Sequence, residues 1–237
     1  MDRNQRSADA VPPNERRRRP LMAVVAALKL AAPAAALIAA LATAAAAAEN
    51  KSTVSKHDVE AKLAYCEVCH GVSAQGFHGY YPIPRPAGQQ TEYLENQLQA
   101  FVEHRRTNNI MFNVGHVLSP AMIAALAADF HDLNPKPLGG APKDLVAGGR
   151  KIFDEGIAAA DVPACSSCHG ADAKGNGAFP RLAGQLFDYI TSKLKNWDKE
   201  RGQIPAQPDT SALMQPIAHK LNEAQIRAVA AYLSYLE

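Results

Sequence analysis

This chain of 237 residues contains few cysteines and few runs in which apolar and polar residues alternate. Only four cysteines are present, and all four lie inside two short motifs, which leaves none for a disulfide bond or a separate catalytic nucleophile. No run of alternating apolar and polar residues is convincing enough to predict a β-strand. The sequence therefore predicts an all-α protein whose chemistry is concentrated at the two cysteine motifs.

An excess of basic charge is also missing from the part that we expect to fold. Residues 1–48 combine an arginine run with a nearly uncharged apolar stretch at 21–48 that ends in small residues, as secretion signals do. This leader holds seven of the 25 basic and three of the 23 acidic residues, so the remainder carries a net charge of −2. That balance does not predict nucleic-acid binding.

The leader has two interpretations. Its apolar stretch is longer than a usual signal core, so an uncleaved membrane anchor is an alternative to a cleaved signal. The richness in alanine makes the stretch only weakly apolar, which favours cleavage.

Both cysteine motifs have the form Cys-x-x-Cys-His, the attachment site of a c-type haem. Two thiols spaced one helical turn apart can each add to a vinyl group of the porphyrin. The histidine that follows is then held under the iron as an axial ligand. The residues concerned are Cys66, Cys69, His70, Cys165, Cys168 and His169. The sequence thus predicts two covalently attached c-type haems.

A zinc site and a redox dithiol are the alternative interpretations of these cysteine pairs. Zinc needs four ligands, usually from two nearby pairs, whereas these pairs lie 99 residues apart and each carries its own histidine. A thioredoxin-like dithiol would need a strand–motif–helix setting without a histidine after each motif. Both alternatives fit the pattern less well than haem does.

The chain after the leader repeats itself. A Pro- and Gly-rich segment at 134–143, typical of a linker, divides it into halves at 49–133 and 144–237. Each half has a cysteine motif followed by a Pro-Arg-x-Ala-Gly-Gln segment, at 84–89 and 180–185. We therefore predict two tandem small helical domains, each built round one haem, which supplies the apolar centre that so short a chain lacks.

Helical periodicity completes the repeat. After Ser119 and after Asn222, apolar residues recur at i, i+3, i+4 and i+7, which predicts a terminal helix in each half. A middle helix in each half carries an apolar stripe that we expect to pack round the haem. The two stripes are Leu94, Leu98 and Phe101, and Ile190, Leu194 and Trp197. The same alignment pairs Arg105 with Arg201.

Two methionines are candidates for the sixth iron ligand. Met111 and Met214 stand at similar distances after their motifs, each seven residues before a leucine that leads into the terminal helix. Histidine–methionine pairs are common axial ligands in cytochromes c, so we expect both methionines to lie in loops that face the haem. Met122 lies within the terminal helix and is interpreted as packing.

The first site keeps an alternative ligand. The spacing from glycine to methionine is 23 residues in the first half and 30 in the second, so the two sites are not equivalent. A histidine could replace Met111 there. The three rivals are His78, His104 and His116.

These motifs resemble the dihaem class I cytochromes c, of the cytochrome c4 type, over about residues 56–237. The resemblance implies that the backbone carbonyl oxygens of Pro84 and Pro180 orient the proximal histidines. It also implies a periplasmic protein that exchanges electrons with a quinol-oxidising complex and a terminal oxidase. Contact with the membrane would come only through these partners or through an uncleaved anchor.

Three function classes follow from two haem sites. Histidine and methionine together leave no open coordination position, which favours an electron carrier over an enzyme. A dihaem subunit of a larger dehydrogenase, such as a sulfide-oxidising flavocytochrome, would share the same motifs. A dihaem peroxidase would need an open iron and distal acid–base groups, which the paired methionines argue against.

Overall fold

Ten α-helices and two short 3-10 helices form the regular structure of residues 54–201 and 210–237, the part of the chain that this computed structural model describes. Within these residues there is no β-strand, and extended pairing is limited to isolated bridges. The first-half helices are α1 (Lys56–His70), α2 (Thr91–Val102), α3 (Asn109–Gly115) and α4 (Pro120–Asp132). The second-half helices are α5 (Val146–Glu155), α6 (Ser166–His169), α7 (Phe187–Lys195), α8 (Trp197–Glu200), α9 (Ser211–Lys220) and α10 (Glu223–Tyr235). The all-α prediction is confirmed.

The terminal helix of each half begins at a side-chain cap. Ser119 Oγ accepts a hydrogen bond from the Met122 N–H at 3.2 Å, and Pro120 occupies the first turn of α4, where its missing N–H costs nothing. Asn222 and Gln225 form a capping box at the start of α10, with reciprocal bonds of 3.0 and 2.9 Å. Both predicted helix starts are confirmed.

In the second half, α5 packs closely against α10 at a glycine. A Cβ atom at Gly149 would overlap the carbonyl group of Ala228 on α10. One turn further along α5, Phe153 is fully buried, and its ring lies 5.6 Å from that of Tyr232. The absence of a side chain at Gly149 therefore allows the two helices to approach and bury Phe153 between them.

Each half has its own apolar core. In the first half Val59 of α1 packs with Leu126 and Phe130 of α4, and Cys66 lies at the edge of this cluster. The second-half core contains Phe153 and Phe187, and Cys165 lies at its edge. One motif cysteine thus contacts each core, as expected for two units each organised round a haem.

Two buried arginines meet where the halves touch. The backbone of Arg106 forms an antiparallel bridge with that of Arg201, and each residue is 6% exposed. The Arg106 guanidinium lies 4.6 Å from the centre of the Phe101 ring, and that of Arg201 lies 4.9 Å from the Trp197 ring. Phe101 and Trp197 are the aromatic ends of the two predicted stripes, and through these cation–π contacts both lie at the interface between the halves.

The predicted pairing of Arg105 with Arg201 is wrong by one residue. Arg106 is the structural counterpart of Arg201, because it lies over the equivalent ring and donates to the Tyr189 hydroxyl at 2.6 Å across the interface. Arg105 instead pairs with Glu103 at 2.6 Å. Residue type alone could not distinguish two consecutive arginines, whereas their contacts in the structure do.

The leader falls outside the described residues. Of the helices that are described, none alone has the length and apolar character to cross a membrane. The pair α3 and α4, bent by 113°, meets the same criteria when the two helices are taken together.

Candidate haem-binding sites

The first cysteine motif occupies the C-terminal turn of α1. Gly71, with a φ of 89°, ends the helix, and its N–H donates to the Glu67 carbonyl oxygen at 2.8 Å. His70 is turned toward the following loop, where its Nδ1 lies 2.8 Å from the Pro84 carbonyl oxygen. A carbonyl oxygen can only accept, so Nδ1 carries the proton and Nε2 is left free to bind a metal.

The second motif repeats this arrangement on the short helix α6. His169 is 4% exposed, and its Nδ1 donates to the Pro180 carbonyl oxygen at 2.9 Å. The edge of the Phe179 ring lies against its imidazole, with the ring centres 6.5 Å apart. The predicted roles of Pro84 and Pro180 as carbonyl partners of the two histidines are confirmed.

Burial keeps both imidazoles neutral. It lowers the pKa of His70 and of His169, although the hydrogen bond to the proline carbonyl partly opposes this effect. Burial also raises the pKa of Cys66, and it raises that of Cys165 to about 11. Neutral imidazole is the form that binds iron, so the histidines are ready to act as ligands at physiological pH.

The loops after the two motifs differ in length but share their first turns. The N–H of Gly76 donates to the His70 carbonyl oxygen, and the N–H of Gly175 donates to that of His169, both at 2.8 Å. The first loop is three residues longer, because 14 residues separate histidine from proline against 11 in the second half. The extra length lies in an exposed excursion at 78–82, beyond the Phe77–Ile83 bridge, so it leaves the histidine–proline contact unchanged.

Both candidate methionines lie on helices, and the prediction that they lie in loops is wrong. Met111 is the third residue of α3, and Met214 is the fourth residue of α9. Both are half-buried. The Asn108 side chain caps α3 by accepting from the Met111 N–H at 2.9 Å, which explains why helix begins there in place of a loop.

The rival histidines of the first half differ in their surroundings. The Phe112 ring, next to Met111, is stacked between the rings of His104 and His116, with ring centres 4.6 and 5.3 Å apart. His116 Nδ1 also donates to the Phe112 carbonyl oxygen at 3.1 Å. His78 lies in the exposed excursion of the first loop. Two of the three rivals therefore contact the residue that follows Met111.

Comparison with known proteins places the chain among c-type cytochromes. The sequence profile of the cytochrome c family matches residues 146–237. Cytochrome c-552 of Acidithiobacillus ferridurans is 39% identical, over 72% of this chain and 73% of that protein. Cytochrome c4 of Thiocapsa roseopersicina is 37% identical, over 75% of this chain and 90% of that protein. The chain belongs to the cytochrome c4 family of class I cytochromes c.

The solved structures agree. The cytochrome c4 structure of Acidithiobacillus ferrooxidans is 37% identical and superimposes with a TM-score of 0.63, over 73% of this chain and 99% of that one. A further relative, the thiosulfate dehydrogenase electron acceptor of Thiomonas intermedia, is 35% identical, over 73% of this chain and 79% of that protein. This cytochrome therefore carries two covalent c-type haems and is an electron carrier, not an enzyme.

The residues present fit a haem for a second reason, which the sequence did not reveal. Arg85 and Arg181 are buried, and among the described residues Arg85 Nη1 and Arg181 Nη2 have no hydrogen-bond partner. Burial, with a smaller contribution from the positive charge of Arg181, lowers the pKa of Arg85 to about 10. Buried guanidinium groups with free donors are matched by carboxylates, and a haem carries two of them.

Proposed function

We propose that the two haems are held by the motif cysteines and ligated by His70 and Met111 in the first half and by His169 and Met214 in the second. The observation that carries this assignment is the repeated bond from histidine Nδ1 to a proline carbonyl oxygen, at 2.8 and 2.9 Å. It fixes the tautomer in which Nε2 can reach the iron. The half-buried methionines on α3 and α9 supply a thioether in each half.

This arrangement suits one-electron transfer. A haem held by these residues would supply one-electron oxidation and reduction, and the histidine and methionine side chains would hold it in either state. The proline carbonyls hold the imidazole rings in one orientation in both oxidation states. The apolar cores beside Cys66 and Cys165 exclude water from one side of each site, and a thioether ligand favours the reduced state.

We also propose that residues 49–133 and 144–237 act as two electron-transfer domains joined by the linker at 134–143. Two separate apolar clusters, each touching one motif cysteine, support this division. The linker is fixed to the second domain, because the Tyr235 hydroxyl donates to the Ala141 carbonyl oxygen at 2.5 Å. Hydrogen bonds between the halves, such as that from Arg106 to the Tyr189 hydroxyl at 2.6 Å, would keep the two haems at a constant separation.

The working place that we propose is the periplasm, with residues 1–48 as the export signal. The donor would be a quinol-oxidising complex and the acceptor a terminal oxidase, as the resemblance to cytochrome c4 implies. Arg106 and Arg201 are buried between the halves, so they cannot form part of the surface that meets a partner. The net charge of −2 outside the leader is too small to attract a partner protein by itself, so local charged patches would guide binding. Such binding is expected to be weak and to depend on salt.

A second candidate function is supported by one of the relatives. The thiosulfate dehydrogenase electron acceptor of Thiomonas intermedia takes electrons from an enzyme, as its name states. In this second function, the cytochrome would take electrons from a sulfur-compound dehydrogenase to which it is bound as a subunit. Purification under mild conditions separates the two functions, since a diffusing carrier is recovered alone and a subunit is recovered with its catalytic chain.

Haem content tests the assignment of the cysteines. We expect two haems per chain that remain attached after denaturation, because four thioether bonds hold them. Cys66→Ala should weaken retention in the first half only, and Cys165→Ala in the second half only. Mass spectrometry of proteolytic fragments from the denatured protein locates each haem. A single covalent haem in the wild-type protein would contradict the assignment.

Electron exchange tests the carrier function. We expect the reduced protein to be oxidised rapidly by membrane vesicles that contain a cytochrome c oxidase, at a rate that changes with ionic strength. Stopped-flow absorption at the haem bands measures this rate. The same protein should show no steady turnover of peroxide beyond that of free haem. Substantial peroxide turnover would show that one iron has an open position and that the ligand assignment is wrong.

A further inference from the structure

A glutamine from the first half forms two hydrogen bonds with the backbone of the second half. Gln89 Oε1 accepts a hydrogen bond from the Arg181 N–H at 2.6 Å, and Gln89 Nε2 donates to the Arg181 carbonyl oxygen at 3.0 Å. Both residues are buried, at 5% and 7% exposed. The orientation of the amide is determined, because a backbone N–H can only donate and a carbonyl oxygen can only accept.

A glutamine of the second half forms the equivalent pair of hydrogen bonds with the backbone of the first half. Gln185 Oε1 accepts from the Arg85 N–H at 2.9 Å, and Gln185 Nε2 donates to the Arg85 carbonyl oxygen at 3.0 Å. Each glutamine oxygen is further fixed by the N–H of the residue that follows it, Gln90 at 2.9 Å and Leu186 at 3.0 Å. The two contacts are thus related by the pseudo-symmetry of the repeat.

The N–H groups that these glutamines hold belong to the peptide bonds that orient the histidines. The Arg181 N–H and the Pro180 carbonyl are the two ends of one peptide group, and that carbonyl oxygen accepts from His169 Nδ1 at 2.9 Å. An unbroken chain of hydrogen bonds therefore runs from Gln89 through the Pro180–Arg181 peptide to His169. The equivalent chain in the other direction runs from Gln185 through the Pro84–Arg85 peptide to His70.

Such a chain changes the electron-donating strength of the imidazole at its end. A peptide whose N–H donates to an amide oxygen is polarised, and its carbonyl oxygen becomes a stronger acceptor, more so in a buried setting. A stronger acceptor at Nδ1 gives the imidazole more negative character and makes Nε2 a more basic ligand. A more basic ligand stabilises the ferric state and lowers the reduction potential of that haem.

We propose that each half tunes the proximal histidine of the other half. Gln89 is a positioning residue for His169, and Gln185 is one for His70. This inference rests on the proposed ligation of both irons by these histidines. Its consequence is that the interface between the halves lowers both reduction potentials, so that any loosening of the interface would raise them.

The crossed relation gives a sharp test on the full-length dihaem protein. Gln89→Leu should raise the reduction potential of the second-half haem, and Gln185→Leu that of the first-half haem. We expect a roughly threefold to tenfold change in the reduction equilibrium, about 30 to 60 mV for a one-electron couple. Potentials come from a redox titration followed by NMR of the haem-methyl resonances assigned to each half. The Nδ1 proton shift of the affected histidine should move toward that of a weaker hydrogen bond.

Gln90→Leu is the matched control. Its side chain also crosses between the halves, since Nε2 donates to the Lys174 carbonyl oxygen at 2.8 Å, but it does not contact the Pro180–Arg181 peptide. Both potentials should stay unchanged in this variant. Equal shifts in all three variants, or a shift confined to the half that carries the substitution, would overturn the proposal.

The result also separates this inference from the proposed function. If two covalent haems and two reversible one-electron waves persist and no crossed shift is seen, only the role of the glutamines is wrong. If the wild-type NMR spectra show no histidine ligand at an iron, the ligand assignment itself fails. Small-angle scattering of each variant identifies any opening between the halves, which should move both potentials together.

Discussion

Replacing Met214 with histidine is expected to lower the reduction potential of the second-half haem by a fraction of the roughly 0.8 V range that different haem ligands span. A thioether sulfur favours the ferrous state, whereas imidazole favours the ferric state. The methionine–iron charge-transfer band of that haem should disappear at the same time. Spectroelectrochemical titration of wild type and variant measures both effects, and the first-half haem should keep its potential.

The neighbouring residue on α9 offers a control for this substitution. Leu213 is 59% exposed, so Leu213→His adds the same side chain one position away without replacing the proposed ligand. The charge-transfer band should persist in this variant. Persistence of the band in Met214→His itself would contradict the assignment.

The same test can be applied to the first site, where the alternative to a methionine ligand is a histidine. Met111→His should change the first-half haem in the same direction. If Met111→Ala leaves both spectrum and potential unchanged, one of the rival histidines is the ligand. His104 and His116 are the first to examine, because both stack on Phe112, the residue that follows Met111 on α3.

Local sequence signals predicted the features that depend on a few neighbouring residues. The caps at Ser119 and Asn222 act on the next three residues, so both terminal helices could be placed correctly. The positions of Met111 and Met214 on helices were missed, although the Asn108 cap is itself a local signal. No such signal marks Met214, because Thr210 at the start of α9 makes no side-chain cap hydrogen bond.

Contacts between the halves could not be predicted from residue order. Gln89 and Arg181 are 92 residues apart, and Gln185 and Arg85 are 100 residues apart. The repeated Pro-Arg-x-Ala-Gly-Gln segment was visible in the sequence, but only packing shows that each glutamine serves the other copy. The same holds for Arg106, which is distinguished from Arg105 by its contacts with Phe101 and Tyr189.

The crossing of α5 and α10 gives the second large expected effect, this time on stability. Gly149→Ala places a methyl group against the Ala228 backbone carbonyl, which cannot rotate away as a side chain could. Relieving the overlap requires α5 and α10 to separate round Phe153, a residue that is fully buried. We expect a loss of about 2–3 kcal/mol in the free energy of unfolding of the second half.

Gly148→Ala is the matched control, because the same methyl group one residue earlier on α5 meets only the Ala228 Cβ, at 4.0 Å. Glycine in a helix interior is less favourable than alanine by roughly 0.5–1 kcal/mol, so this variant should be as stable as the wild type or more stable. Guanidinium titrations followed by helical circular dichroism and by the second-half charge-transfer band measure both variants. If Gly149→Ala unfolded at the same midpoint as Gly148→Ala, helix propensity alone would be the determining factor. The close approach of α5 and α10 would then contribute nothing to holding the second haem site together.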